Sequence, residues 1–280
     1  MLGLLLICTI FGLLFIVLKY LNDKAAHKRK IARSDAELYS RIAENLRSGC
    51  YENASKEYYE TATNEWRKPA ASQEREPPPV RQHAKPELDK FLDVKRKTRI
   101  IVLDVETNGL TSDCSVLSCT AIKYEIDPNI YEMTELERFH RYYYPVEPFN
   151  SEAIAVNRLT RGVITDRRAD ATYAMHFAED PDFESFCAGV LRFVAHNISF
   201  DSQFIPFLGR KKKLCTMMSN MDIVAVHFMQ SKNEWKWPTL SETALHYGIS
   251  FTNSDLHGSM KDAEITAEIF MKMLHAARLG

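Results

Sequence analysis

The pattern of apolar and polar residues divides the chain into an apolar N-terminal run, a polar middle and a long C-terminal part. This C-terminal part contains several apolar segments of the kind that form buried strands and helices. Residues 2–18 form an unbroken apolar run without a charged side chain. A helix needs roughly 20 such residues to cross a bilayer, and somewhat shorter runs are tolerated. The pattern therefore predicts a single transmembrane helix over residues 1–20.

Basic residues after this run predict its orientation. Between positions 19 and 33 the chain has six lysines and arginines and one aspartate. Positive charge collects on the cytoplasmic side of membrane spans. We therefore expect a single-pass membrane protein with its N-terminus outside and everything after residue 20 in the cytoplasm. A cleaved signal peptide is the main alternative, but such peptides place positive charge before the apolar run, where this chain has none.

The middle of the chain has two parts with different character. Residues 21–66 are basic beside the apolar run and then show a helix start at Ser34 to Glu37 followed by apolar residues at helical spacing. This segment is predicted to be a helical spacer, and residues 34–66 could equally dock a protein partner. Residues 67–96 contain five prolines among charged and amide side chains, which predicts a semi-extended linker.

Composition adds two constraints. Of the 280 residues, 45% are hydrophobic, which is enough for a sizeable core. The formal net charge is only −1, so a surface for a polyanion has to be local. The six cysteines include no pair separated by two residues, which favours free thiols in a reducing compartment over a disulfide framework or zinc site.

Two carboxylates stand out in the C-terminal domain, residues 97–280. Residues 98–104 are apolar and β-branched and predict a buried strand. Asp104 and Glu106, two positions apart at its end, share one face of such a strand. Carboxylate oxygens are the ligands that Mg²⁺ and Mn²⁺ prefer. This pair alone is weak evidence for a metal site, although the tight loop that follows strengthens it.

Two further segments have candidate ligands. Residues 191–195 predict another buried strand, and a turn at His196 and Asn197 leads to a helix start near Ser199 that contains Asp201. By itself, Asp201 could simply complement the helix dipole. His257 precedes a long amphipathic helix that has Asp262 in its early turns. The apolar positions predicted for that helix are Ala263, Ile265, Ile269, Phe270, Met273 and Leu274.

Taken in order, these motifs resemble the DEDDh branch of the DnaQ-like exonuclease superfamily, which includes the epsilon proofreading subunit of DNA polymerase III. The resemblance covers about residues 98–278 and implies an α/β, ribonuclease H-like fold, with a mixed sheet of about five strands flanked by helices. It implies a metal-dependent 3′→5′ exonuclease that releases nucleoside 5′-monophosphates from single-stranded DNA or RNA. It implies two divalent ions, Mg²⁺ or Mn²⁺, held by Asp104, Glu106, Asp201 and Asp262, and His257 as the base.

The resemblance also implies substrate contacts, at Thr107, Asn108, Gly109, Leu110, Asn197 and Phe200. DNA is favoured over RNA on overall similarity, and an RNA-trimming exoribonuclease is the first alternative. A membrane-tethered, non-catalytic nucleic-acid-binding module is the second. The basic run at residues 210–213 could bind phosphates or be a solvated loop. Ser259 stands where the family often has alanine, a difference that we expect to be inconsequential.

Overall fold

The computed structural model describes residues 76–92, 96–252 and 258–279. The predicted membrane helix, the spacer at residues 21–66 and His257 lie outside these ranges. Within the described ranges, no helix combines the length and apolar character that a membrane crossing requires.

A mixed sheet of five strands forms the centre of the domain, as the sequence predicted. Strand β1 pairs with β2 antiparallel and with β4 parallel, and the order across the sheet is β3-β2-β1-β4-β5. The remaining pairs are antiparallel for β2 with β3 and parallel for β4 with β5. The strands are β1 Thr98–Thr107, β2 Val116–Asp127, β3 Glu132–Tyr142, β4 Arg192–Ala195 and β5 Lys212–Cys215.

Helices flank this sheet, and a short hairpin of β6 Phe228–Met229 and β7 Glu234–Trp235 follows β5. The helices are α1 Lys85–Phe91, α2 Ser151–Asn157, α3 Arg161–Arg167, α4 Pro181–Cys187, α5 Ile198–Phe204, α6 Thr216–Ser219, α7 Met221–Val224, α8 Leu240–His246 and α9 Ser259–Leu279. Two 3₁₀ turns lie at Phe177–Glu179 and Pro206–Arg210. At the start of α3, the Val163 N–H donates to Thr160 Oγ1 at 3.2 Å.

Each face of the sheet has its own core. Ile100 and Val102 of β1 pack in the cluster that contains α9, whereas Ile101 and Leu103 pack in the cluster on the opposite face, beneath α4 and α5. This alternation follows from the two-residue period of a strand. Asp104 continues the first series, so the strand directs its carboxylate towards the side of the sheet covered by α9.

Helix α1 corrects the predicted domain boundary. It lies within residues 67–96, where we predicted a linker, yet Leu88 and Phe91 are only 3% and 4% exposed and belong to the α9 cluster. The Phe91 ring meets Phe270 edge to face, with 6.0 Å between centroids. Pro86 in the first turn suits a helix start, because its missing N–H has no partner to lose there. The packed domain therefore begins before residue 97.

Candidate active site

Three carboxylates from two elements meet at the candidate site. We predicted that the first strand ends at residue 104, but β1 continues to Thr107. Asp104 and Glu106 therefore both lie within the strand. Helix α9 supplies Asp262 from its first turns. One ligand oxygen from each of the three lies within 4.8 Å of the others. The structure thus brings together three of the four predicted metal ligands at a spacing that one cation can bridge.

Asp201, the fourth predicted ligand, lies against the same stretch of β1. It is 2% exposed in α5, and its Oδ1 accepts the Val105 N–H at 3.2 Å. Strand β4 ends at Ala195, and α5 begins three residues later. Val105 lies between Asp104 and Glu106 on β1, and Asp201 of α5 accepts the hydrogen bond of its buried backbone N–H. Asp201 is held beside the site by the backbone but is not one of the three mutually close ligands.

The carboxylates perturb one another strongly. Burial, followed by the charges of Asp201, Glu106 and Asp262, raises the pKa of Asp104 well above its usual range. Burial and the neighbouring charges of Asp262 and Asp201 raise the pKa of Glu106 to about 8. Burial raises the pKa of Asp201 to about 7, against the opposing effect of backbone hydrogen bonds. Such a cluster favours protons or cations among its oxygens.

A polar strip extends from these carboxylates across the sheet. Register places Thr120 beside Asp104 and His140 beside Thr120, all on the same face. Thr120 Oγ1 lies 2.7 Å from His140 Nδ1 and 2.8 Å from Ser259 Oγ. Ser259 Oγ also contacts the hydroxyl of Ser118. Burial, with the charges of Arg167 and Arg138, lowers the pKa of His140 to about 4.

This strip corrects our expectation about Ser259. We expected the serine to be inconsequential, but its side chain is 1% exposed and bonded to β2. Ser259 opens α9, three residues before Asp262. The buried hydroxyls therefore fasten the first turn of α9 to the sheet beside the metal-ligand candidates.

Comparison with known sequences assigns the chain to a family. The sequence model of RNase_T, described as exonuclease, matches residues 101–270, a span that contains all the carboxylates described above. The chain belongs to this exonuclease family. Exonucleases of this family normally use divalent metal ions.

Individual relatives of the chain differ in size and in name. DNA polymerase III PolC-type of Staphylococcus haemolyticus is 29% identical over 184 residues, which are 65% of this chain and 12% of that protein. Ribonuclease T of Buchnera aphidicola is 25% identical over 196 residues, covering 64% and 84%. DNA polymerase III subunit epsilon of Pasteurella multocida is 26% identical over 186 residues, covering 64% and 70%. The chain thus spans only a small part of its PolC-type relatives.

Solved structures include exonuclease X in complex with 5′ overhanging duplex DNA. It aligns with a TM-score of 0.41 and 19% sequence identity over 64% of this chain and 91% of that chain.

The last residue of β1 and the loop that follows it contain four of the predicted substrate contacts. Leu110 is 80% exposed, which leaves its side chain available to a base. Thr107 Oγ1 donates to the Gly109 carbonyl at 2.6 Å, and Asn157 Nδ2 of α2 donates to the Thr107 carbonyl at 3.0 Å. A Cβ on Gly109 would lie 2.5 Å from Cys114 Sγ. The loop is therefore held by hydrogen bonds, and a side chain at position 109 would force Cys114 Sγ to move.

The side chain of Asn108 is buried within this loop. It is 1% exposed, and its Nδ2 donates to Glu147 Oε1 at 2.8 Å and to the Pro148 carbonyl at 2.9 Å. Its backbone N–H donates to the Ser115 carbonyl. Burial raises the pKa of Glu147, but hydrogen bonds from Ser115 and Asn108 outweigh it and lower the pKa to about 2. These bonds show that the Asn108 side chain holds the loop, and its contact with substrate stays a prediction. Glu147 is a structural residue that the sequence did not reveal.

Asn197 and Phe200 lie beside Asp201 at the start of α5. Asn197 has φ 72°, a left-handed conformation that asparagine tolerates, and makes no side-chain cap bond. Phe200 is half-buried with its ring 5.2 Å from that of Phe204. The preceding His196 is held by Thr216 at 3.0 Å and by the Pro238 carbonyl at 3.1 Å. The hydrogen bonds of His196 therefore fix the turn that contains Asn197 and leads to Phe200. The contact of these two residues with substrate stays a prediction.

Proposed function

We propose that this chain is a metal-dependent 3′→5′ exonuclease that removes nucleoside 5′-monophosphates from the 3′ end of single-stranded nucleic acid, with DNA favoured over RNA. The observation that carries the proposal is the approach of Asp104, Glu106 and Asp262 oxygens within 4.8 Å. Three hard oxygen donors at this spacing fit Mg²⁺ or Mn²⁺. Burial and neighbouring carboxylates also raise the pKa of Asp104 and of Glu106, which favours a cation between them.

The proposed mechanism assigns metal binding to the four acidic residues and proton transfer to His257. Asp104, Glu106 and Asp262 would hold the ions, and Asp201 would contribute from its place against Val105. When bound, two divalent ions supply charge stabilisation for the phosphoryl group and for both ends of an in-line displacement. His257 would take the proton from the attacking water, since a histidine pKa near 6.5 suits a base at neutral pH.

Support for the substrate comes from the relatives. Two of the three are named as DNA polymerase components, which favours DNA, and one is named as a ribonuclease, which keeps RNA trimming as the second candidate. A non-catalytic nucleic-acid-binding module is the remaining alternative. All four acidic residues and His257 are present, which argues against this alternative, because degenerate copies usually lose one of them.

Isosteric substitutions at the carboxylates test the proposal. With Mg²⁺ or Mn²⁺, the full-length protein should release mononucleotides from a single-stranded DNA oligonucleotide, and a chelator should stop the reaction. Asp104→Asn and Asp262→Asn should reduce the rate to background, because each removes a charge that holds the ions. The exposed Asp170→Asn is the matched control and should keep the wild-type rate.

The same assay on RNA of identical sequence ranks the two substrate classes. Binding of oligonucleotides without any release of mononucleotides, under every metal condition, would support the non-catalytic module and overturn the proposal.

We further propose that residues 1–20 anchor the protein in a membrane, with the exonuclease domain in the cytoplasm. The apolar run at residues 2–18 and the six basic residues after it support this arrangement. Residues 34–66 are the proposed contact for a protein partner. The full-length protein should remain in the membrane pellet after a carbonate wash, and its release into the supernatant would contradict the anchor.

A further inference from the structure

A basic groove runs along the edge of the sheet formed by β5. It has a volume of about 390 Å³, and Lys212 and Lys213 line it together with Lys90 of α1. All three lysines are exposed. The one carboxylate in the lining, Glu87, is paired at 2.9 Å with Arg81, which also pairs with Asp222 at 2.6 Å. Three lysines against this one lining carboxylate give the groove a net positive charge.

The groove points towards the carboxylate end of the sheet. Strands β4 and β5 run parallel to β1, with Lys212 beside Arg192 and Phe193 beside Ile101. Asp104 is three residues further along β1 than Ile101. From a rise of about 3.3 Å per residue and a strand spacing of about 4.8 Å, Lys212 lies on the order of 16 Å from Asp104. The lining continues along β5 to Cys215 and to Met218 of α6, in the direction of that site.

Charge is segregated between the two ends of the sheet. Arg192 continues the basic end, where it joins Arg96 and Arg99 around a second hollow of about 370 Å³. Lys97 in the same lining is paired with Glu125 at 3.0 Å. Four buried or half-buried carboxylates occupy the opposite end. Without metal ions the carboxylate end repels a polyanion and the basic end attracts one, although the net charge of the chain is only −1.

We propose that the β5 groove binds phosphates of the nucleic-acid strand upstream of the bond being cut, with Lys212 and Lys213 as the phosphate contacts. This inference rests on the proposed function. A concave channel directed at the carboxylates suits a narrow strand, whereas a flat membrane surface would meet only its rim. Met218, 44% exposed, offers apolar contact to a sugar or base within the channel. The contact is independent of sequence, since lysine bonds to phosphate do not read bases.

Substrate length separates this groove from the catalytic site. The test compares oligodeoxythymidines of about 3 and about 20 nucleotides, below and above the site sizes of single-strand-binding folds. Lys212→Ala/Lys213→Ala should raise KM for the longer oligonucleotide on the order of 10-fold at low salt and leave kcat and the KM of the trimer unchanged. On single-stranded nucleic acid, each phosphate contact adds about 0.7 to the slope of log KM against log salt concentration. The slope of log KM against log salt for the longer substrate should therefore become shallower by about 1.4.

Two control variants make the result specific. Lys272→Ala on α9 removes a lysine outside the groove lining and should leave KM and the salt slope unchanged. Lys212→Arg/Lys213→Arg retains the charge and should restore most of the affinity for the longer oligonucleotide.

The possible outcomes decide between the two levels of the account. If the wild type cleaves neither oligonucleotide, the proposed function fails. If it cleaves both and the double alanine variant keeps its KM and salt slope, the groove inference is overturned while the function stands. Equal KM changes for both lengths would also overturn it, because they indicate a general field. If the double alanine variant lost binding to vesicles containing anionic lipid while its KM for oligonucleotides stayed unchanged, the groove would be a membrane-binding surface. That result would also overturn the groove inference.

Discussion

Replacing Glu106 with glutamine should stabilise the metal-free protein at alkaline pH. Glu106 is half-buried within the carboxylate cluster, and burial with the charges of Asp262 and Asp201 raises its pKa to about 8. Glutamine keeps the size of the side chain and cannot ionise. The substitution therefore removes a charge whose formation the metal-free fold opposes.

The sign and the size of the effect follow from this pKa. Between the ordinary value of 4.5 and about 8, the unfolded chain has released a proton that the folded chain retains. The free energy of unfolding then falls as the pH rises through this interval. At about 1.4 kcal/mol for each pH unit, the largest loss from Glu106 is about 5 kcal/mol. Coupling among the carboxylates makes the realised difference smaller, and we expect about 2–4 kcal/mol at pH 8 and almost none at pH 4.

Urea unfolding in the presence of a chelator measures this difference. The free energy of unfolding of Glu106→Gln minus that of the wild type should grow steadily from pH 4 to pH 8. The exposed Glu268→Gln on α9 should show no such growth. Saturating Mg²⁺ or Mn²⁺ should reverse the order, because the wild type gains more binding free energy. A difference that does not depend on pH would refute the electrostatic account of the cluster.

Three further substitutions test the packing around the site by urea unfolding. Asp201→Ala leaves the Val105 N–H without its acceptor and should cost about 1–3 kcal/mol, whereas Asp201→Asn retains an acceptor and should cost less; equal costs would contradict this bond. Gly109→Ala forces a Cβ against Cys114 Sγ and should lower the free energy of unfolding by about 1–3 kcal/mol. Adding Cys114→Ala should restore most of this loss, and a Gly109→Ala variant as stable as the wild type would contradict the close approach. Phe91→Ala should cost about 3–5 kcal/mol because the ring is buried, and a negligible cost would return residues 85–91 to a linker.

The parts of the fold that the sequence predicted are those governed by local periodicity. Strand β1 and helix α9 each bury a face whose spacing is visible along the chain, and all six apolar positions predicted for α9 are buried. The two-residue spacing of Asp104 and Glu106 placed them on one face, and the structure confirms that they meet Asp262. Asp201 was predicted as a ligand, and its bond to Val105 shows how the fold positions it beside the others.

The features that escaped prediction depend on distant or weak signals. Ser259 bonds to Thr120, which is 139 positions away, and no local pattern reveals a hydroxyl pair of that kind. Helix α1 has only seven residues and two buried side chains, so its proline and charged residues dominated the prediction of a linker. Glu147 accepts a hydrogen bond from Asn108, which is 39 positions away, and no local pattern reveals that contact either.

The direction of degradation tests the central claim most directly. One single-stranded DNA oligonucleotide, labelled at its 5′ end in one reaction and at its 3′ end in another, is incubated with the full-length protein and Mg²⁺ or Mn²⁺. A 3′→5′ exonuclease should convert the 5′ label into a ladder that shortens one nucleotide at a time and release the 3′ label at once as a mononucleotide, with neither product formed by Asp104→Asn. Immediate release of the 5′ label, internal cuts, or the same ladder from Asp104→Asn would contradict the account.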